Sequence, residues 1–121
     1  MILFLHKRNL KSTMHIEKSH NLGQQEAMRR VDNFLDTLVH RPLPAGLSIE
    51  NPSKVWSGNV MNFSFRVKKG WLGTSLAGTL SITEQSVVLD SVLPGMIRAF
   101  VSENDIRALL EQQLDHLLGQ K

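Results

Sequence analysis

Cysteine is absent from the 121 residues, which excludes disulfides, thiolate metal ligands and a cysteine nucleophile together, and leaves no sign of an oxidising compartment. No apolar run approaches the roughly 20 residues that a membrane-spanning helix requires, so no transmembrane segment is expected. Internal repeats and low-complexity stretches are missing as well. Positive charge is present but not gathered. Setting aside Lys7, Arg8 and Lys11 from the 14 basic residues leaves as many bases as acids from Met14 onward. Phosphate neutralisation needs a concentrated basic face, and beyond residue 13 the densest features are the pairs Lys68-Lys69 and Arg29-Arg30. No nucleic-acid partner is expected, and a cytoplasmic location is the default.

What the chain does hold is 41% apolar residues in a length that fits one domain with a real core. The opening MILFLHKRNLKST has its charges after its apolar residues, the reverse of a secretory signal. Residues 1–13 are therefore expected to be a disordered arm or an upstream-start extension, and 14–121 the single domain.

Met14 and Ile16 alternate with His15 and Glu17 as in a short strand. Asn21, with Gln24 three residues on, reads as a helix cap, and Ala27, Val31, Phe34, Leu35 and Leu38 recur at helical spacing as far as RPLPAG. Four strand signals follow, at 47–50, 54–67, 73–83 and 86–93, with turns at Asn51-Pro52-Ser53, Lys68-Lys69-Gly70 and Glu84-Gln85. Ser102 caps a final helix striped by Ile106, Leu109, Leu110, Leu114, Leu117 and Leu118. That stripe must lie on something apolar, and the inner face of the strand meander is the nearest surface.

The order predicts an α+β domain, β-α-β-β-β-β-α, its antiparallel sheet carrying two helices on one face. It resembles one half of the TATA-binding protein and, more loosely, the small helix-grip folds. A helix-grip cavity needs sheet and helix held apart, whereas Gly73, Ala77 and Gly78 are small positions that would let them approach. A mostly filled core is expected.

Chemistry-bearing residues are sparse. His15, Glu17 and His20 are the nearest approach to a metal cluster, but nothing supplies further ligands, and a polar strand face is the weightier reading. GTSLA at 73–77 has Ala77 where a nucleophile elbow needs glycine, and lies in a strand, so Ser75 reads as an outward sheet residue. Asp32 and Asp36 stand one helical turn apart on a wet face. No phosphate-binding loop is present. No catalytic, cofactor or metal residue is assigned, and an enzyme is less expected than a binding protein.

Apolar excess is the more informative feature. Trp56 is placed to cap one end of the core. Trp71, in KKGWLG, could fold back over the sheet edge, the favoured reading, or insert into a lipid or polymer surface beside its lysines. In LPGMIRAF, Met96, Ile97 and Phe100 are too many for the inner side of one turn. Most are expected to seal the sheet against the last helix, and the remainder to form a hydrophobic contact together with Trp71.

The segments IEKSHNLGQQEAMRRV, WSGNVMNFSF, GTLSITEQSVVLDSVLP and IRALLEQQLDHLLG together resemble the bacterial polyhydroxyalkanoic acid system proteins, from about Ile16 to Gly119. The marks are His20-Asn21-Leu22 before Glu26-Ala27, Trp56 with Gly58, Phe63, Leu93-Pro94 and the leucine-rich last helix. The resemblance implies a connection with storage-polyester granules and supplies no catalytic residue. It implies a non-enzymatic accessory protein that meets a granule surface, a granule protein or a second copy of itself as a homodimer. The alternative is a small acyl- or lipid-binding or thioester-handling protein that uses a sheet-helix cavity.

Overall fold

The structure, a computed structural model, describes residues 11–41, 43, 46–94 and 102–119. In chain order the elements are β1 (Lys11–Ser19), α1 (Gln24–Val31), α2 (Phe34–Val39), β2 (Leu47–Ser57), β3 (Val60–Lys69), β4 (Leu72–Ile82), β5 (Ser86–Pro94) and α3 (Glu103–Leu117). The five strands form one antiparallel sheet in the order β1-β5-β4-β3-β2. β2 to β5 are the anticipated meander, and β1 adds itself beside β5. The α+β architecture is the one the pattern predicts.

One face of the sheet is packed. Met61, Phe63, Phe65 and Val67 of β3, Leu76, Leu80 and Ile82 of β4 and Val87, Leu89 and Leu93 of β5 join the helix residues Ala27, Val31, Phe34, Leu35 and Leu38 in a single core. Phe63 lies at its centre, edge-on to Phe34 at 5.6 Å and stacked on Phe65 at 6.1 Å. α3 contributes Ile106, Leu110 and Leu114, and its C-cap residue Leu118 joins them, each buried. Each such side chain stabilises the fold by about 1.5–3 kcal/mol through area removed from water. The Ser102 hydroxyl accepts from the Asp105 N–H at 3.1 Å, so the expected cap holds. Gln113 also lies on the buried stripe, its amide oxygen accepting from Arg41 at 2.9 Å.

Several local expectations are corrected. The first helix is two: the ladder is interrupted at Asp32-Asn33, where the Asp32 carbonyl and carboxylate are both drawn towards β2. Its cap position is Gly23 rather than Asn21, and the Gln24 side chain reaches the Ile82 carbonyl at 2.8 Å instead of closing a capping box. β1 begins at Lys11, three residues before the alternation starts, with Lys11 to Thr13 paired to Pro94 to Val92.

The largest correction concerns β2. Asn51-Pro52-Ser53 is not a turn but a bulge inside one strand, with Asn51 at φ 54 and the register slipping between Glu50 and Ser53. The turn sits instead at Gly58-Asn59, where Gly58 takes φ 61 in a two-residue hairpin loop. A proline that cannot donate to the ladder is tolerated at such a bulge on an edge strand. The small positions also divide. Only Gly78 lies on the packed face, where Phe63 crosses it; Ala77 points away from the helices, and the Arg66 guanidinium covers Gly73.

Candidate functional site

The bulge decides which β2 side chains meet water. An extra residue reverses the in-out alternation, so Leu47 and Ile49 face the core before it, and Lys54 and Trp56 face the helices after it. Trp56 Nε1 donates to the Asp32 carboxylate at 2.8 Å, and Lys54 lies 3.0 Å from the same group. The indole N–H first, then the ammonium, hold the Asp32 carboxyl below its ordinary range. Val55 is consequently turned outward and is 63% exposed.

The sequence-derived candidates fare unequally. Trp71 occupies the second position of the two-residue turn joining β3 to β4, after Gly70 at φ 63. It does not fold back over the sheet edge: it is 88% exposed at the hairpin tip, with Lys69 exposed beside it and Lys68 ion-paired to Glu50 at 3.6 Å. Met96, Ile97 and Phe100 lie outside the described residues.

His15 and His20 are not brought together. His15 is on the open face, its Nδ1 2.6 Å from the Asp90 carboxylate, the residue opposite it on β5. His20 is buried, with Nδ1 accepting from the Leu22 N–H at 3.1 Å and Nε2 donating to the Thr83 carbonyl at 3.2 Å, an arrangement that fixes its tautomer. With Gln24 and Asn59 both donating to the Ile82 carbonyl, it ties the start of α1 to the far end of β4. Ser75 is exposed in mid-strand, not at a strand-to-helix turn. Among the described residues there is no group of three side chains suited to a metal ion.

Two spaces remain. The gap between sheet and helices, lined by Leu38, Phe65, Val67, Leu76, Ile106 and Leu110 among others, has a volume of about 30 Å³. On the opposite face the sheet curves into an open trough of about 950 Å³ that reaches both edge strands. Sequence reading missed the trough, because it treated every outward residue as ordinary wet surface. The available signal was the shortness of those residues: Ser64, Ser75, Ala77 and Thr79 stand where exposed strands usually carry long charged side chains.

A family model described as "Putative polyhydroxyalkanoic acid system protein" matches residues 14–118. The chain belongs to that family. The family's His20-Asn21-Leu22 and Trp56-Gly58 marks fall on the buried histidine tie and on the β2–β3 hairpin, both structural. No curated protein matches the chain by sequence. Among solved structures, the Mll3558 protein from Rhizobium loti is similar with a TM-score of 0.53 at 15% identity, over 90% of this chain and 96% of that one. Weaker likenesses are Ara h 8.0201, with TM-score 0.44, 13% identity and coverage of 91% and 99%, and a truncated norcoclaurine synthase from Thalictrum flavum, with 0.43, 9%, 93% and 96%. The likeness to Mll3558 agrees with a helix-grip-like fold for this polyhydroxyalkanoic acid system protein and says nothing of its activity. No helix among the described residues is long and apolar enough to cross a membrane.

Proposed function

We propose that this protein is a non-enzymatic accessory of polyhydroxyalkanoate storage, held at the hydrophobic surface of the cytoplasmic polyester granule by the tip of its β3–β4 hairpin. The supporting observation is Trp71, 88% exposed on a two-residue turn. A tryptophan buries about 150–250 Å² when covered, worth on the order of 5 kcal/mol before the losses of immobilisation. Lys68 and Lys69 can lay their stems along an apolar surface and keep their charges in water. The ring is presented rather than stored, since nothing in the core needs it.

The rival reading, an acyl carrier or thioester-handling enzyme, requires room between sheet and last helix. A gap of about 30 Å³ is the share of a single water molecule, which is too small for an acyl chain.

Co-sedimentation with purified granules tests the proposal. The wild-type chain is expected to pellet with them, and Trp71→Ala to fall to the level of an unrelated soluble protein while melting at the same temperature. Equal pelleting of the two, or none by either, would contradict it. A melting temperature raised by acyl thioesters would favour the carrier instead.

A further inference from the structure

The trough on the open sheet face has a chemistry of its own. Two ranks of side chains cross it from edge to edge. Register places His15, Asp90, Thr79, Asn62 and Val55 in one rank, and Thr13, Val92, Ala77, Ser64 and Ser53 in the next. All project from the face opposite the helices.

Among the described residues, three properties of this surface restrict what it can take. First, it carries no uncompensated charge: its only ionisable groups, His15 and Asp90, are paired with each other at 2.6 Å. Second, its only aromatic ring is Phe63, which is buried on the other face, so the stacking platforms that sugars and nucleic-acid bases favour are absent. Third, apart from the His15–Asp90 pair, the ranks are made of hydroxyl or amide groups and small apolar ones. The hydroxyls of Thr13, Ser53, Ser64 and Thr79 and the Asn62 amide make no hydrogen bond to another described residue, in contrast to Ser91 on the packed face, whose hydroxyl donates to the Ala77 carbonyl at 2.9 Å. Ala77 and Val92 are neighbours in the second rank and Val55 ends the first on the β2 edge, with Val55 63% and Val92 45% exposed.

A neutral chain that offers hydrogen-bond acceptors and carries short alkyl branches suits such a surface. An aliphatic polyester of hydroxy acids is that kind of chain: each ester carbonyl only accepts, and each branch needs a small apolar seat. We propose that the open sheet face binds a single extended segment of aliphatic oligoester, lying across the strands between the two ranks, with its carbonyls on the hydroxyls and its branches against Ala77, Val55 and Val92. This rests on the granule reading above and extends it: Trp71 holds the surface, and the trough holds a strand of the polymer itself.

The probe is a water-soluble linear tetramer of 3-hydroxybutyrate with both ends capped, so that it carries no charge, titrated into the isotope-labelled full chain and followed by amide NMR. Shifts are expected along β3, β4 and β5 at outward positions. Ala77→Arg, an exposed site with nothing packed above it, should weaken binding at least about tenfold without lowering the melting temperature, and the double variant Ser64→Ala/Thr79→Val should weaken it by about tenfold. Trp71→Ala should bind the tetramer as the wild type does. That last arm separates the two readings, because loss of granule pelleting with retained tetramer binding isolates the hairpin tip from the trough. The inference is overturned if the tetramer causes no shifts, if shifts map to the hairpin tip or the sheet-helix gap, if Ala77→Arg binds unchanged, or if the outward residues respond to protein concentration instead, which would make a second copy of the chain the occupant.

Discussion

Single residues here divide into those that hold the fold and those left over. Asp32 belongs to the first group: it joins the break between α1 and α2 to Trp56 and Lys54 of β2. Its carboxyl is held below the ordinary range, so its contribution is present above about pH 4 and is lost as pH falls through the lower folded value. Glu26, brought down to about 2 by Arg29 and Arg30, titrates in the same direction. Asp32→Asn should therefore lower the melting temperature near neutrality, and the gap to wild type should close as pH falls below about 4. A gap that stays constant with pH would show the charge to be idle. Gly78 is the other telling position. A Cβ there would strike the Asp90 carbonyl and come within 2.9 Å of Phe63 and 3.0 Å of Ser91. Gly78→Ala is expected to cost about 1–3 kcal/mol in chemical denaturation, whereas Ala77→Ser next to it should cost almost nothing.

At the scale of elements, what could be read in advance was what periodicity encodes. The alternation of Met61, Phe63, Phe65 and Val67 and the stripe on α3 both place their side chains in the core as anticipated. Where local chemistry competes with periodicity the reading failed. Asn51-Pro52-Ser53 has turn composition but serves as a bulge, because a turn there would leave Trp56 on the open face and Val55 within. Gly58-Asn59 looked like strand interior because Val60 continues the apolar pattern across it. The helix break at Asp32 depends on Trp56, 24 residues away, and no local pattern shows it. Gln113 escaped the apolar stripe because a buried amide is recognisable only once Arg41 is seen beside it. Leu114, wholly buried near the C-terminal end of α3, gives the test at this scale. Leu114→Ala should destabilise the domain by about 2–5 kcal/mol, and a loss below 1 kcal/mol would mean that α3 is not seated on the core.

The whole molecule has one closed side and one open side. Three helices fill the inner face so completely that a gap of about 30 Å³ remains, while the outer face and the hairpin tip meet water. Among the described residues the larger open space lies on the outer face of the sheet rather than between sheet and helices. Trp71 was visible in the sequence as an indole between glycines beside two lysines. Its exposure was not, because it follows from the length of the turn. Of the trough, only the short outward residues were legible; their alignment was not, since it depends on the register across five strands. The central claim, that Trp71 is the group that meets the granule, can be read directly from its own fluorescence. In a Trp56→Phe background, which leaves Trp71 as the only indole, purified granules should shift its emission to shorter wavelength and shield it from acrylamide. Emission that stays at the water-exposed position, with quenching unchanged while the protein pellets with the granules, would contradict the account.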